Sequence, residues 1–77
     1  MVFSFFKGPF ERAGCTFEED GWVTTDLSRG ERIKWRPFGR QTFRWDVIES
    51  VWVPSGETRS EFLAIARQYQ ASVGRRR

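Results

Sequence analysis

Residues 31–45 have the sequence ERIKWRPFGRQTFRW, and the expected architecture of the chain depends on how they pair. With the two-residue repeat of a β-strand, the stretch separates into an apolar set and a basic set. The apolar set is Ile33, Trp35, Phe43 and Trp45, and the basic set is Arg32, Lys34, Arg36 and Arg44. The segment PFGR at 37–40 is typical of a turn, so the stretch predicts a β-hairpin.

Placing Trp35 opposite Phe43 sets the register of this hairpin. The apolar set is then expected to be buried and the basic set exposed on the opposite face. Lys34 faces Arg44 in this register, and two like charges in a cross-strand pair are mildly destabilising. This arrangement hints at an anionic partner for the basic face. A surface that is merely solvated is the competing interpretation.

Two further loops extend the hairpin into a meander. Residues 19–21 (EDG) and 28–30 (SRG) each end in glycine, the residue that adopts a left-handed backbone without steric cost. The loops predict cross-strand pairs Phe17–Val23, Val23–Trp35 and Thr25–Ile33 inside, and Asp26–Arg32, Thr24–Lys34 and Trp22–Arg36 outside. The last pair predicts a cation–π contact.

The C-terminal half predicts one more strand and a helix. The alternation breaks at 46–48, which indicates a tight turn or a bulge, and residues 49–53 (ESVWV) predict a fifth strand. Residues 58–61 (TRSE) have the form of a capping box, and Gly74 is a candidate C-cap. Apolar residues recur between them at helical spacing: Phe62, Ile65, Ala66, Tyr69 and Val73.

The N-terminal segment 1–12, MVFSFFKGPFER, is rich in phenylalanine. Gly8 and Pro9 are expected to stop any helix there. We expect this segment to fold over the sheet and complete its core through Val2, Phe3, Phe6 and Phe10. A docking segment for a partner or a membrane surface is the alternative.

The fold class predicted is therefore α+β: a five-stranded antiparallel β-meander with one C-terminal helix packed on the sheet. Residues 1–77 form one small domain, with the N-terminal segment at 1–12, the meander at 14–53, the helix at 58–73 and a basic tail at 75–77. A meander leaves two sheet edges, so we expect a homodimer through an edge or burial of that edge on a partner.

FEEDGWVTTDL at 17–27, FRWDVIESVWV at 43–53 and the C-terminal helix together resemble the strand pattern of small bacterial pleckstrin-homology-like domains. The resemblance covers roughly residues 16–73. The barrel of that family has seven strands, whereas this sequence predicts five. The resemblance implies a non-enzymatic scaffold that binds proteins or lipid head groups, and it transfers no functional residue.

Charge is segregated along the chain. The formal net charge is +3, and because Arg75, Arg76 and Arg77 supply three of the 13 basic residues, residues 1–74 carry ten charges of each sign. Residues 29–44 hold six basic residues and one acid, whereas residues 11–26 hold five acids and one base. The domain is therefore expected to be electrically polar.

The sequence offers little for catalysis. It has no histidine, one cysteine and no glycine-rich phosphate loop. Cys15 is expected to be a structural thiol, and Asp46 and Glu49 are expected to cap a turn and face solvent. We expect no enzyme, no cofactor, no metal site and no small-molecule substrate. The lack of a secretory signal favours the cytoplasm.

Three binding hypotheses remain. The first is docking on a protein partner or assembly through a basic, aromatic sheet face. The second is nucleic-acid binding through the basic set and the arginine tail. The third, and least favoured, is an anionic membrane surface. The candidate binding residues are Trp22, Arg32, Lys34, Arg36, Arg40 and Arg44.

Overall fold

The computed structural model describes residues 2–37, 39 and 41–74, with side chains from residue 7 onward. The helices are α1 (Val2–Arg12) and α2 (Arg59–Gly74), and the strands are β1 (Thr16–Phe17), β2 (Val23–Asp26), β3 (Arg32–Arg36), β4 (Gln41–Asp46) and β5 (Val51–Pro54). All five strands join one antiparallel sheet in the order β1-β2-β3-β4-β5. The predicted meander with a C-terminal helix is confirmed.

The register predicted for the first three strands is also confirmed. Phe17 pairs with Val23, and Val23 with Trp35, as the two glycine loops require. Gly21 has a φ of 93° and closes the first loop. The second loop is a 3-10 turn in which Arg29 takes a φ of 63° before Gly30 at 78°, so two consecutive residues are left-handed.

The register predicted between β3 and β4 is wrong by one residue. Trp35 pairs with Thr42, and Lys34 pairs with Phe43. The loop is the four-residue segment 37–40, whereas the predicted pairing needs five residues. Because side chains alternate across a strand, a shift of one residue exchanges the two faces of β4.

The consequence is that Phe43 and Trp45 are half-buried on the face opposite the core, while Arg44 lies on the core face beside Ile33. This register is stable because the polar residues that β4 turns toward the core face find hydrogen-bond and ion-pair partners there. Thr42, only 3% exposed, donates a hydrogen bond to the Glu57 carbonyl, and Arg44 pairs with the Glu57 carboxylate.

The expectation that Gly8 and Pro9 stop a helix is wrong, because α1 runs through both. Proline removes one helical hydrogen bond. Tertiary packing opposes that cost, since Phe10 is 1% exposed and stacks on Trp35 with ring centroids 5.2 Å apart. Burial of Phe10 confirms the packing predicted for that residue. The packing predicted for Val2, Phe3 and Phe6 lies outside the described side chains.

Helix α1 ends in a Schellman motif at Gly14. The Cys15 amide donates to the Phe10 carbonyl and the Gly14 amide to the Glu11 carbonyl, both at 3.0 Å. Gly14 has a φ of 79°, and a Cβ atom at this position would lie 2.5 Å from the side-chain nitrogen of Gln70. The junction between α1 and β1 therefore favours glycine for its left-handed backbone, while the exposed side chain of Gln70 would have to move to admit a Cβ atom.

The core lies between the two helices and one face of β1–β3. Its buried residues are Phe10, Ala13, Val23, Ile33, Trp35, Phe62, Leu63 and Ala66. Helix α2 begins with the predicted capping box, in which Thr58 N–H donates to Glu61 Oε1 at 2.9 Å and Glu61 N–H to Thr58 Oγ1 at 3.2 Å. Leu63 is a core residue that the helical spacing did not indicate, while Val73 is exposed.

The turn between β4 and β5 is organised by Asp46. Its Oδ1 atom accepts hydrogen bonds from the Ile48 amide at 2.9 Å and the Glu49 amide at 3.0 Å. The predicted turn is confirmed, with Asp46 as its cap and Glu49 exposed, but the turn extends over residues 47–50, so β5 begins at Val51 and not at residue 49 as predicted.

The edge strand β5 offers few backbone donors. Ser55 N–H donates to the Thr42 carbonyl at 3.0 Å, and antiparallel pairs alternate between bonded and non-bonded types. The backbone hydrogen-bonding groups of Trp52 and Pro54 therefore point away from β4. Since proline has no N–H, Pro54 offers no donor on that side. Within β5, Trp52 holds the one outward amide. A homodimer through a sheet edge stays a prediction.

Candidate binding face

The sheet face opposite the core carries rings and cations, and we call it the outer face. Its residues are Trp22, Arg32, Lys34, Arg36, Phe43, Trp45 and Trp52, all partly buried. Strand β3 supplies the three cations at alternate positions, and its intervening residues Ile33 and Trp35 enter the core. The strict alternation of β3 is what places three positive charges in one row.

Cations and indole rings alternate across this face. Arg36 lies over the Trp22 ring at 5.1 Å, and Lys34 Nζ lies 4.4 Å from the centroid of the same ring. Lys34 Nζ is also 4.3 Å from the Trp52 ring, over which Arg32 lies at 5.5 Å. The resulting order, Arg36–Trp22–Lys34–Trp52–Arg32, is the cation–ring ladder.

Two edge-to-face ring contacts extend the ladder sideways. Trp22 and Phe43 have centroids 5.5 Å apart with planes at 74°, and Trp45 and Trp52 lie 5.3 Å apart at 69°. Such pairs add about 0.5–1.5 kcal/mol beyond their buried area. The first contact joins the start of β2 to β4, and the second joins β4 to β5. The side chains of this face therefore converge above β3.

The ladder has a structural role of its own. The cationic groups of Lys34 and the two arginines lie over ring surface that water would otherwise contact. Each exposed cation–π contact contributes about 0.5–1 kcal/mol. The rings also remain partly open to solvent, so the face combines a small second cluster of packed side chains with an accessible surface.

The three cations differ in their anionic partners. Arg32 Nε lies 3.3 Å from Asp26 Oδ1, and the two side chains are 44% and 73% exposed. No such pair forms at Lys34 or Arg36 within the described part of the chain. Their positive charges are therefore balanced only by the faces of neighbouring rings and by solvent.

Acidic residues border the cation row at both ends. Val23 pairs with Trp35, so the acidic loop that contains Glu18, Glu19 and Asp20 lies at the Arg36 end of the row. Asp26 pairs with Arg32 at the other end. The positive surface is consequently short, with three cations in the five residues of β3.

Four of the six predicted binding residues come together on the outer face: Trp22, Arg32, Lys34 and Arg36. Arg44 does not belong to it, because the shifted register turns Arg44 to the core face and toward Glu57. Arg40 lies outside the described residues. The Trp22–Arg36 contact predicted from the sequence is present.

The sequence interpretation missed three aromatic members of this face: Phe43, Trp45 and Trp52. The first two were assigned to the core by the wrong register. The signal that could have placed them is the turn segment 37–40 itself, because a loop of four residues pairs Arg36 with Gln41. Trp52 follows from β5, where it pairs with Trp45.

Cys15 has the environment of a structural thiol. The residue is half-buried beside the core, and burial raises the pKa of its thiol from 9.0 to about 11. A thiol with a raised pKa is mostly protonated near neutral pH and is a poor nucleophile.

No described helix is both long enough and sufficiently apolar to cross a membrane. In comparisons with protein-family models, curated proteins and solved structures, nothing matches this chain. The resemblance to pleckstrin-homology-like domains therefore stays a prediction, and function is argued from the outer face.

Proposed function

We propose that this chain is a non-enzymatic binding module that docks on a protein partner through its outer face. The observation that carries the proposal is the cation–ring ladder, in which Trp22 and Trp52 alternate with three cations on the face not used by the core. Tryptophan and arginine are the residues that most often dominate the binding energy of protein interfaces.

The ladder also lowers the entropic cost of docking. Lysine and arginine normally lose rotamer freedom when a partner immobilises them, at about 0.5–1.5 kcal/mol for each side chain. Here Lys34 is already held between two rings and Arg36 over one. A partner therefore meets a surface whose side chains are largely positioned before binding.

Nucleic-acid binding is the second candidate, favoured by the interleaving of indole rings with cations. Bases stack on exposed aromatic rings while cations contact phosphates. Two features weigh against it: residues 1–74 carry equal numbers of basic and acidic residues, and acids border both ends of the cation row. A net basic excess is typical of such domains.

A selection experiment separates these candidates. The immobilised chain is panned against a random dodecapeptide display library, and in parallel it is titrated with a labelled random DNA oligonucleotide at increasing salt. Docking predicts enriched peptides whose binding is lost in Trp22→Ala and kept in Val73→Ala, an exposed apolar position on α2.

The nucleic-acid candidate predicts a different pattern. Oligonucleotide affinity would fall with salt at a log–log slope of about −0.7 to −0.9 for each phosphate contact. If no recovered peptide depends on Trp22 and the oligonucleotide shows such a slope, nucleic-acid binding would replace docking as the proposed function. Circular dichroism and thermal unfolding of Trp22→Ala establish that the variant is folded.

A further inference from the structure

We infer that the outer face takes an extended acidic segment of a partner protein, with two acidic residues separated by one residue. This inference rests on the proposed docking function and names the chemistry of the partner. It follows from the geometry of β3, from the charges that remain unpaired, and from the acids that border the row.

The spacing of the cations sets the spacing of the acids. Lys34 and Arg36 stand at alternate positions of one strand, so their Cα atoms are about 6.8 Å apart. An extended partner segment has the same two-residue repeat. When it runs along β3, every second side chain faces this row. An acid-x-acid pattern therefore brings one carboxylate to each cation.

The third position of the row has different chemistry. Arg32 already pairs with Asp26 at 3.3 Å, so an acid there would meet a charge that is partly neutralised. Beside Arg32 lie the Trp52 ring and its edge-to-face neighbour Trp45. An apolar or aromatic residue suits this position. The full pattern is therefore two acids at alternate positions with an apolar residue at the next alternate position. The apolar residue precedes or follows the acids, depending on the direction of the segment.

The border acids favour a short acidic segment over a polyanion. A nucleic acid carries a phosphate at every nucleotide, so a strand longer than the row meets either the acidic loop at Glu18–Asp20 or Asp26. A peptide can place its two carboxylates on the row and neutral residues beyond it. Like charges juxtaposed at an interface suppress wrong partners.

Peptide selection with a charge-matched variant tests the inference. The random dodecapeptide library is panned against the native chain, against Arg36→Gln and against Arg67→Gln, an exposed arginine of α2 that serves as the matched control. We expect the native chain and the control to enrich the acid-x-acid pattern. Synthetic copies of the enriched peptides should bind Arg36→Gln at least ten-fold more weakly, and exchange of either acid for its amide should have the same effect.

The possible outcomes are distinct. Some enriched peptides could require Trp22, lack the acidic pattern and bind Arg36→Gln as tightly as the native chain. That result would overturn the inference and leave the docking function intact. The absence of any peptide that requires Trp22 would overturn both. An oligothymidylate probe that binds more tightly than the best peptide and competes with it would assign the row to phosphate recognition instead.

Discussion

Arg44 on β4 binds Glu57, which precedes α2, through two atoms of its guanidinium group. Its Nη2 lies 2.8 Å and its Nε 2.9 Å from the same carboxylate oxygen, Glu57 Oε2. Ser55 donates to the other oxygen, and the Thr42 hydroxyl donates to the backbone carbonyl of Glu57. Glu57 thereby fastens the segment between β5 and α2 to β4.

This ion pair predicts a specific loss of stability. Glu57→Gln should reduce the free energy of unfolding by about 1–2 kcal/mol, the cost of a charged hydrogen bond discounted for partial solvent exposure. Urea unfolding at neutral pH measures it. Glu49→Gln, at an exposed turn position, is the matched control and should change the free energy little.

The same carboxylate predicts how stability depends on pH. Partial burial raises the pKa of Glu57, but hydrogen bonds from Ser55 and Arg44 and the nearby charge of Arg44 lower it more, so its pKa lies below 4.5. A depressed pKa means that the contribution is fully present above the unfolded value and is lost as pH falls through the folded value. Glu57→Gln should lessen the drop in stability below pH 4.5. If stability falls below pH 4.5 as steeply in this variant as in the native chain, the pH dependence does not come from Glu57.

The two faces of the sheet predict different costs for two tryptophans. Trp35→Ala should destabilise the chain by about 3–5 kcal/mol, because Trp35 is 4% exposed and packs on Phe10 and Phe62. Trp45→Ala should cost only about 1–2 kcal/mol, because Trp45 is half-buried on the outer face. Equal losses in urea unfolding would indicate that Trp45 is a core residue, as in the register predicted from the sequence.

The capping box of α2 predicts that substitution of its first residue lowers the stability of the chain. Thr58→Ala should lower stability by about 1 kcal/mol, since the Glu61 amide loses its acceptor. The control is Ser60→Ala, at an exposed position within the helix, because it removes a hydroxyl without removing a cap. Thermal unfolding of both variants measures the difference, which would be absent if the cap contributed nothing.

Burial of Cys15 predicts slow thiol chemistry. At pH 8, raising the pKa from 9.0 to about 11 lowers the thiolate fraction by about 100-fold. Because a thiolate of higher pKa is also a better nucleophile, reaction with a disulfide reagent should be about ten-fold or more slower in the native chain than in urea. Comparable rates would show that the thiol is accessible and ionised in the folded protein.

The sequence was sufficient for the first three strands because two kinds of signal agree there. The glycine loops fix the strand ends, and the inward residues Val23, Ile33 and Trp35 are all apolar. In β4 the hydrophobic pattern was misleading, since Phe43 and Trp45 look like core residues. Their partners on the outer face, Trp22 and Trp52, lie on other strands, so the alternation within β4 alone does not show which face these rings occupy.

Helix α1 shows the same limit. Gly8 and Pro9 disfavour a helix locally, whereas packing of Phe10 against Trp35 and Phe62 favours it. Long-range burial of one aromatic side chain outweighs the local preference, and sequence propensity contains no information about that burial. For the candidate site, the basic row and the Trp22–Arg36 contact were predictable from the period of β3 and the glycine loops, but the position of Trp52 in the ladder was not.

Pro54 has a consequence for how this chain behaves beside other chains. Exposed strand edges act as templates for aggregation, and proline on an edge is one of the devices that prevent it. In β5 the proline ring stands where the second outward amide would be, next to the exposed side chain of Val53. A Pro54→Val substitution would supply that amide together with a β-branched side chain, and would offer another chain one more backbone group with which to pair.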